Sequence, residues 1–240
     1  MGANIMMKID LIRQILEKHL LPGEDFIFGF ADLTNVIDES FGNYKYGISI
    51  GKKLDDKIVD GIYHGPTLEY YQHYRQINEE LASLTRAIVT DLREIGLDAV
   101  CVEPTVTTNE LDTIYASDLK TRLSHKMVAT RAGLGWIGKS DLFISKAFGP
   151  RLRLVSILTN TPLKSEVHPV DESRCGNCKK CMDRCPAGAI NGNLWNISVE
   201  RDEFFDAFKC REKCKEFGEK YLKMDVRVCG ICVAVCPYGW

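Results

Sequence analysis

Nine of the ten cysteines in this 240-residue chain fall between Cys175 and Cys236, and no other feature constrains the fold as tightly. The first run, "CGNCKKCMDRCP", spaces them as Cys175-x2-Cys178-x2-Cys181-x3-Cys185-Pro186. The second, "CGICVAVCPYGW", holds Cys229, Cys232 and Cys236. Structural zinc sites use two separated pairs of ligands, and three closely spaced steps do not suit that arrangement. A short loop that wraps one corner of an iron–sulfur cube does suit it, with Pro186 stiffening the exit. The chain shows no secretory leader pattern, so it is expected in the reducing cytoplasm, where metal ligation explains clustered thiols better than disulfides do. Cys101 stands apart in an apolar stretch and reads as a small buried hydrophobe.

The first run has the spacing of bacterial two-cluster ferredoxins, in which the fourth cysteine ligates the other cluster. Cys175, Cys178, Cys181 and Cys236 are therefore expected at cluster one, and Cys185, Cys229 and Cys232 at cluster two. The eighth ligand comes from "FKCREKCKEF", where Cys210 and Cys214 share one helical face at i and i+4 and spacing does not separate them.

Ahead of the cysteines, apolar periodicity predicts a helix over 5–20, closed by Pro22-Gly23, and a long helix from about Thr67 to Ile95, stopped by Gly96. Strands are expected at 25–33, 45–51, 98–104 and 151–158. Between them, "SHKMVATRAGLGWIGKSDLFIS" (124–145) reads as a helix to about Arg131, a glycine-rich turn, then a strand. The fold class is α+β. The cysteine boundary divides it into residues 1–168 and a ferredoxin-like unit, residues 169–240, carrying two 4Fe–4S clusters. His64, His73 and the aromatic set "YYQHY" (70–74) read as structural.

No apolar run approaches the roughly 18–20 residues of a spanning helix, so no membrane partner is expected. The 31 Lys and Arg against 33 Asp and Glu give a formal net charge of −2, which offers no general support for binding a polyanion.

"RAGLGWIGKSDLFIS" (131–145), "LTNTPL" (158–163) and the cysteine runs together resemble the epoxyqueuosine reductase family, relatives of the reductive dehalogenases, over roughly residues 115–240. The resemblance implies two 4Fe–4S clusters feeding electrons to a cobalamin, in a corrinoid-binding amino-terminal domain of nitroreductase-like type. It favours Cys210 over Cys214, because "DAFKC" (206–210) matches the family's D-A-x-x-C context. It also implies that Gly133, Gly135, Trp136, Ile137, Gly138 and Lys139 bind cofactor: glycines for close approach, an indole face and a cation. Read on their own, the same residues equally make a helix cap and tight turn into a buried strand.

The family's catalytic Asp segment has no clear counterpart here, which leaves Asp118, His125 and Lys126 as candidate proton donors. Family members that act on tRNA continue into helical repeats, whereas this sequence stops at Trp240; that end and the even charge balance argue against tRNA and for a small-molecule substrate. The expected partner is an external electron donor such as ferredoxin or flavodoxin. The alternative is a ferredoxin-like electron-transfer protein without corrinoid.

Overall fold

A computed structural model describes residues 2–20, 25–105, 117–163 and 167–239, with side chains from Lys8 onward. The expected stop at Pro22-Gly23 lies outside the described residues, as does part of the expected boundary near residue 168.

The first unit is built on one antiparallel sheet of order β1-β2-β6-β3, formed by β1 (Phe26–Asp32), β2 (Tyr46–Lys53), β6 (Leu152–Thr159) and β3 (Ala99–Val102). Strand alternation sorts the side chains between two faces. Phe30, Ile48, Ile50, Val155 and Ile157 point into the main core. There they meet Ile12 and Leu16 of α1 (Gly2–His19) and Ile77, Leu81, Ile88 and Leu92 of α3 (Leu68–Glu94). Both helices bury the faces that periodicity predicts, and the Thr67 hydroxyl caps α3 by accepting from the Tyr70 N–H at 3.2 Å. A short helix, α2 (Asp56–Asp60), precedes α3.

The opposite sheet face carries Gly29 and Gly47, where added side-chain atoms would meet Ala132, Leu134 and Val128. The missing side chains let α4 (His125–Arg131) lie close across β1, β2 and β6. Ser124 caps that helix by accepting from the Met127 N–H at 3.4 Å.

After α4 the expected glycine-rich turn is instead a hairpin. Gly135, Trp136 and Ile137 form β4 (Gly135–Ile137), antiparallel to β5 (Phe143–Ser145). The reason is steric: a side chain at Gly135 would collide with the Ile144 backbone, so only glycine brings the strands to this separation.

The second unit contains α5 (Lys180–Arg184), α6 (Ala207–Phe217) and α7 (Ile231–Ala234), with a π-turn at Gly218–Leu222. Its packing is continuous with the first. Val228, Val233 and Ala234 join the core that holds Ile62 and Tyr70. Arg131 bonds the Val170 carbonyl at 2.6 Å and pairs with Asp171. Tyr70, Tyr71 and Tyr74 pack on one another, as expected of a helix face.

Candidate iron–sulfur site

Helix α5 carries Cys181 and leads to Cys185, while α7 carries Cys232 and leads to Cys236. The two short helices pack together, so both sequence runs converge on one region. Cys175, Cys178, Cys181 and Cys236 line a single cavity, and Cys232 reaches its wall. Ile144, Pro237 and Tyr238 complete its lining.

These thiols crowd one another in a largely apolar lining. Burial, then the neighbouring Cys175 and Cys178, push Cys181 up to about 11. Burial likewise pushes Cys236 up to about 12, with Cys175, Cys181 and Cys178 adding to the shift. Such thiols ionise only when a metal takes the place of their protons. Among the described residues no three His, Cys, Asp or Glu side chains converge on a point suited to a single metal ion. Sulfurs spread around a cavity fit a cube, and the donor set fits iron–sulfur chemistry.

A second group surrounds Cys214. Its Sγ lies 3.9 Å from the Sγ of Cys210 on α6, and it also hydrogen-bonds Cys229. Those two bonds are the largest causes that hold the Cys214 thiol protonated. The hydrogen bond from Cys214 draws Cys229 down to about 7 and lowers Cys210. Burial raises Cys232 well above the ordinary thiol range, and it feels Cys229, Cys210, Cys181 and Cys185. Cys232 thus stands between the two groups, and Cys210 and Cys214 both face the second. The charges felt at Cys210 besides Cys229 are the carboxylates of Asp141 and Asp206.

The residues expected to face a corrinoid have other partners. Trp136 is 5% exposed, packs edge-to-face on Tyr238 at 5.0 Å, and lies beneath the Arg174 guanidinium. Its indole Nε1 is buried without a hydrogen-bond partner. Ile137 joins the same cluster, with Val170, Trp195 and Phe204. Gly133 takes a left-handed φ of 71° directly beneath Val167 and His168. Gly138 faces Ile144 and the sulfur of Cys175, and Lys139 donates to the cysteine loop. A Cβ added at Gly133, Gly135 or Gly138 would meet this chain's own atoms, and Lys139 ties the segment to the cysteine loop.

The candidate proton donors each have partners in the fold. His125 accepts from the Ser156 hydroxyl through Nδ1 and donates through Nε2 to the Glu103 carbonyl, both at 2.9 Å. Burial lowers it to about 4, which keeps the imidazole neutral near pH 7. Lys126 pairs with Asp141 at 2.6 Å. Asp118 accepts from the Lys120 N–H at 2.8 Å, and its backbone carbonyl accepts from Arg201. The stretch preceding Asp118, through residue 116, lies outside the described residues.

The His125 placement has a measurable consequence. A histidine depressed in the fold stabilises it fully above its unfolded value near 6.5, and that contribution is lost as pH falls towards about 4. The denaturant midpoint should therefore drop between pH 7 and pH 5, and His125→Gln should flatten part of that drop. Equal pH dependence in both proteins would contradict the neutral, doubly bonded histidine.

Some of the structural partners carry no sequence signal. Tyr238 bonds the Arg174 carbonyl at 2.7 Å, and Arg131 anchors residues 170–171. Both contacts join segments far apart in the chain, so no local pattern announces them. Cys101 lies in β3 with its thiol raised by burial, in keeping with a packing role. His73 accepts from the Asp55 N–H at 3.0 Å.

Residues 174–239 match the family model described as a 4Fe-4S double cluster binding domain. The epoxyqueuosine reductase of Lactococcus garvieae is 36% identical over 112 residues, 47% of this chain and 31% of that protein. The tetrachloroethene reductive dehalogenase of Sulfurospirillum multivorans is 34% identical over 121 residues, 46% of this chain and 22% of that protein. The matched stretch thus spans about a third of the length of the curated epoxyqueuosine reductases. An epoxyqueuosine reductase solved with an epoxyqueuosine-modified tRNA stem loop shares the fold, with a TM-score of 0.61, 17% identity, and coverage of 97% of this chain and 66% of that one. A reductive dehalogenase studied for B12-dependent dehalogenation gives 0.64 at 17% identity, covering 95% of this chain and 31% of the other.

The likeness read from the sequence is borne out, as is the α+β fold with a double-cluster unit at its carboxy-terminal end. The expectation against tRNA finds no support in these relatives, one of which was solved with a tRNA stem loop. No helix among the described residues is long and apolar enough to cross a membrane.

Proposed function

We propose that this chain is an iron–sulfur reductase that takes electrons from an external donor of the ferredoxin or flavodoxin type and passes them through two 4Fe–4S clusters to a bound acceptor. The observation that carries the reading is the convergence of both cysteine runs on one pair of packed helices. Cys175, Cys178, Cys181 and Cys236 would hold cluster one. Cys185, Cys210, Cys229 and Cys232 would hold cluster two, with Cys214 the alternative to Cys210. When bound, the clusters supply one-electron transfer without proton or bond changes in the protein.

The chain's own residues do the rest. Trp136 and Ile144 pack an apolar cluster against Cys175 and Cys236, which lowers the local polarity around the first thiol group. Arg131 and the tail fix the unit on the amino-terminal core. The short turns between cysteines set the spread of the donors.

Cobalamin as the acceptor is the finer part of the proposal. Its support is the B12-dependent dehalogenase that shares the fold. The relatives act, by their names, on an epoxide and on a chlorinated alkene, and the chemistry common to both is reduction at an electrophilic carbon. We infer that class of substrate here.

Anaerobic reconstitution tests the scheme. Two cubes require about eight iron and about eight sulfide per chain. About four iron, or zinc instead, would remove the two-cluster assignment. Cys210→Ala should lose roughly half the iron and Cys214→Ala should keep it; the reverse result would exchange the two ligands. Stoichiometric retention of added hydroxocobalamin through gel filtration supports the corrinoid, and its complete loss leaves an electron carrier.

A further inference from the structure

Lys139 follows β4 and is 5% exposed, a rare place for an ammonium group. Its Nζ donates to the carbonyls of Gly176 at 2.8 Å and Cys178 at 3.0 Å, both inside the loop that carries the first three cysteines. No carboxylate among the described residues pairs with it. Carbonyl dipoles solvate a buried cation without neutralising it, and a buried charge without a counter-charge is strongly destabilising. Lys139 also lines the cavity shared by Cys175, Cys178, Cys181 and Cys236. The missing negative charge therefore belongs in that cavity.

We propose that Lys139 is a positioning residue for cluster one, holding its loop and raising its reduction potential above that of cluster two. The inference rests on reading these cysteines as cluster ligands. A cube with four thiolates is net negative and becomes more so by one charge on reduction, so a fixed cation favours the reduced form. The second thiol group has different surroundings: Asp141 and Asp206 lie near Cys210, Asp141 paired with Lys126 and Asp206 with Lys209, so both of these cations are already matched by a carboxylate. One electron then moves downhill from reduced cluster two to oxidised cluster one, with no proton transferred and no bond made or broken. Electrons enter at the Cys229 and Cys232 end and leave at the Cys175 to Cys181 end.

The test is a redox titration of the reconstituted full chain followed by electron paramagnetic resonance, with iron and sulfide assayed on the same samples. Cys236→Ala identifies the cluster-one signal by its loss. Lys139→Met, which keeps the length and removes the charge, should retain the iron while the cluster-one midpoint moves negative. The expected shift is at least tenfold in the equilibrium between clusters, or about 59 mV for one electron. The cluster-two midpoint should stay, and Lys139→Arg should remain near the parent value. If Lys139→Met does not load cluster one, Lys139→Gln keeps a donor for the loop without the charge and should show the same shift. Full iron with an unmoved cluster-one midpoint, or equal movement of both midpoints, overturns the assignment of Lys139 alone. Failure of the parent chain to take up about eight iron overturns the cluster reading, and this inference with it.

Discussion

Replacing Gly149 with alanine is expected to lift the carboxy-terminal tail from its seat and empty the first thiol group of its metal. Gly149 lies between β5 and β6 with a φ of 56°, the left-handed region that costs other residues about 1–2 kcal/mol. An alanine Cβ there would collide with the Tyr238 carbonyl, which is backbone and has no rotamer to yield. Overpacking of this kind adds about 1–3 kcal/mol. The tail has little room to retreat, because Gly239 sits directly on the Arg151 side chain. Arg151 is itself 1% exposed and held by Asp56 at 3.1 Å and Asp60 at 2.7 Å. Since Cys236 immediately precedes the displaced residues, the variant should lose both stability and roughly half its iron. An unchanged denaturant midpoint together with full iron would show that the tail does not depend on this seat.

Trp136→Ala is the second large effect. The indole fills the space among Ile137, Ile144, Val170, Trp195 and Phe204, between the hairpin and the iron–sulfur unit. Truncation of a buried tryptophan costs about 3–5 kcal/mol, and the aromatic contact with Tyr238 is lost as well. Trp136→Phe separates packing from polarity. It removes an N–H that is buried without a partner, which offsets part of the volume lost. The phenylalanine variant should therefore lie much closer to the parent than the alanine variant in thermal or denaturant unfolding. Comparable losses for the two would mean that the indole nitrogen has a partner in solution and that Trp136 does more than pack.

Both effects concern residues whose types are plain in the sequence and whose roles are not. "AGLGWIGK" reads in the sequence as a place where backbone is closely approached. What approaches Gly135 is the neighbouring strand, what approaches Gly133 is Val167 and His168, and what Lys139 grips is the cysteine loop. A glycine records that space is needed but carries no mark of what fills it. The same holds for His125, where a titratable ring before a glycine-rich segment suggests proton transfer. Only the positions of Ser156 and Glu103, 31 and 22 residues away in the chain, show that both nitrogens are spent.

The antiparallel pairing of the sheet was not legible in the chain, while the secondary elements with strong periodicity, the α+β class and the cysteine spacing that suits two cubes were. These are local properties, set by side-chain period and by the few residues between donors, and they survive without knowledge of partners. Tertiary structure alone decided which thiols face one cavity, that Cys214 stands between Cys210 and Cys229, and that Lys139 serves the cysteine loop. Each of these includes a contact between separate elements of the chain. Such contacts are fixed by how whole faces pack and by where a buried charge finds its compensation, and neither is written in any one stretch of the chain.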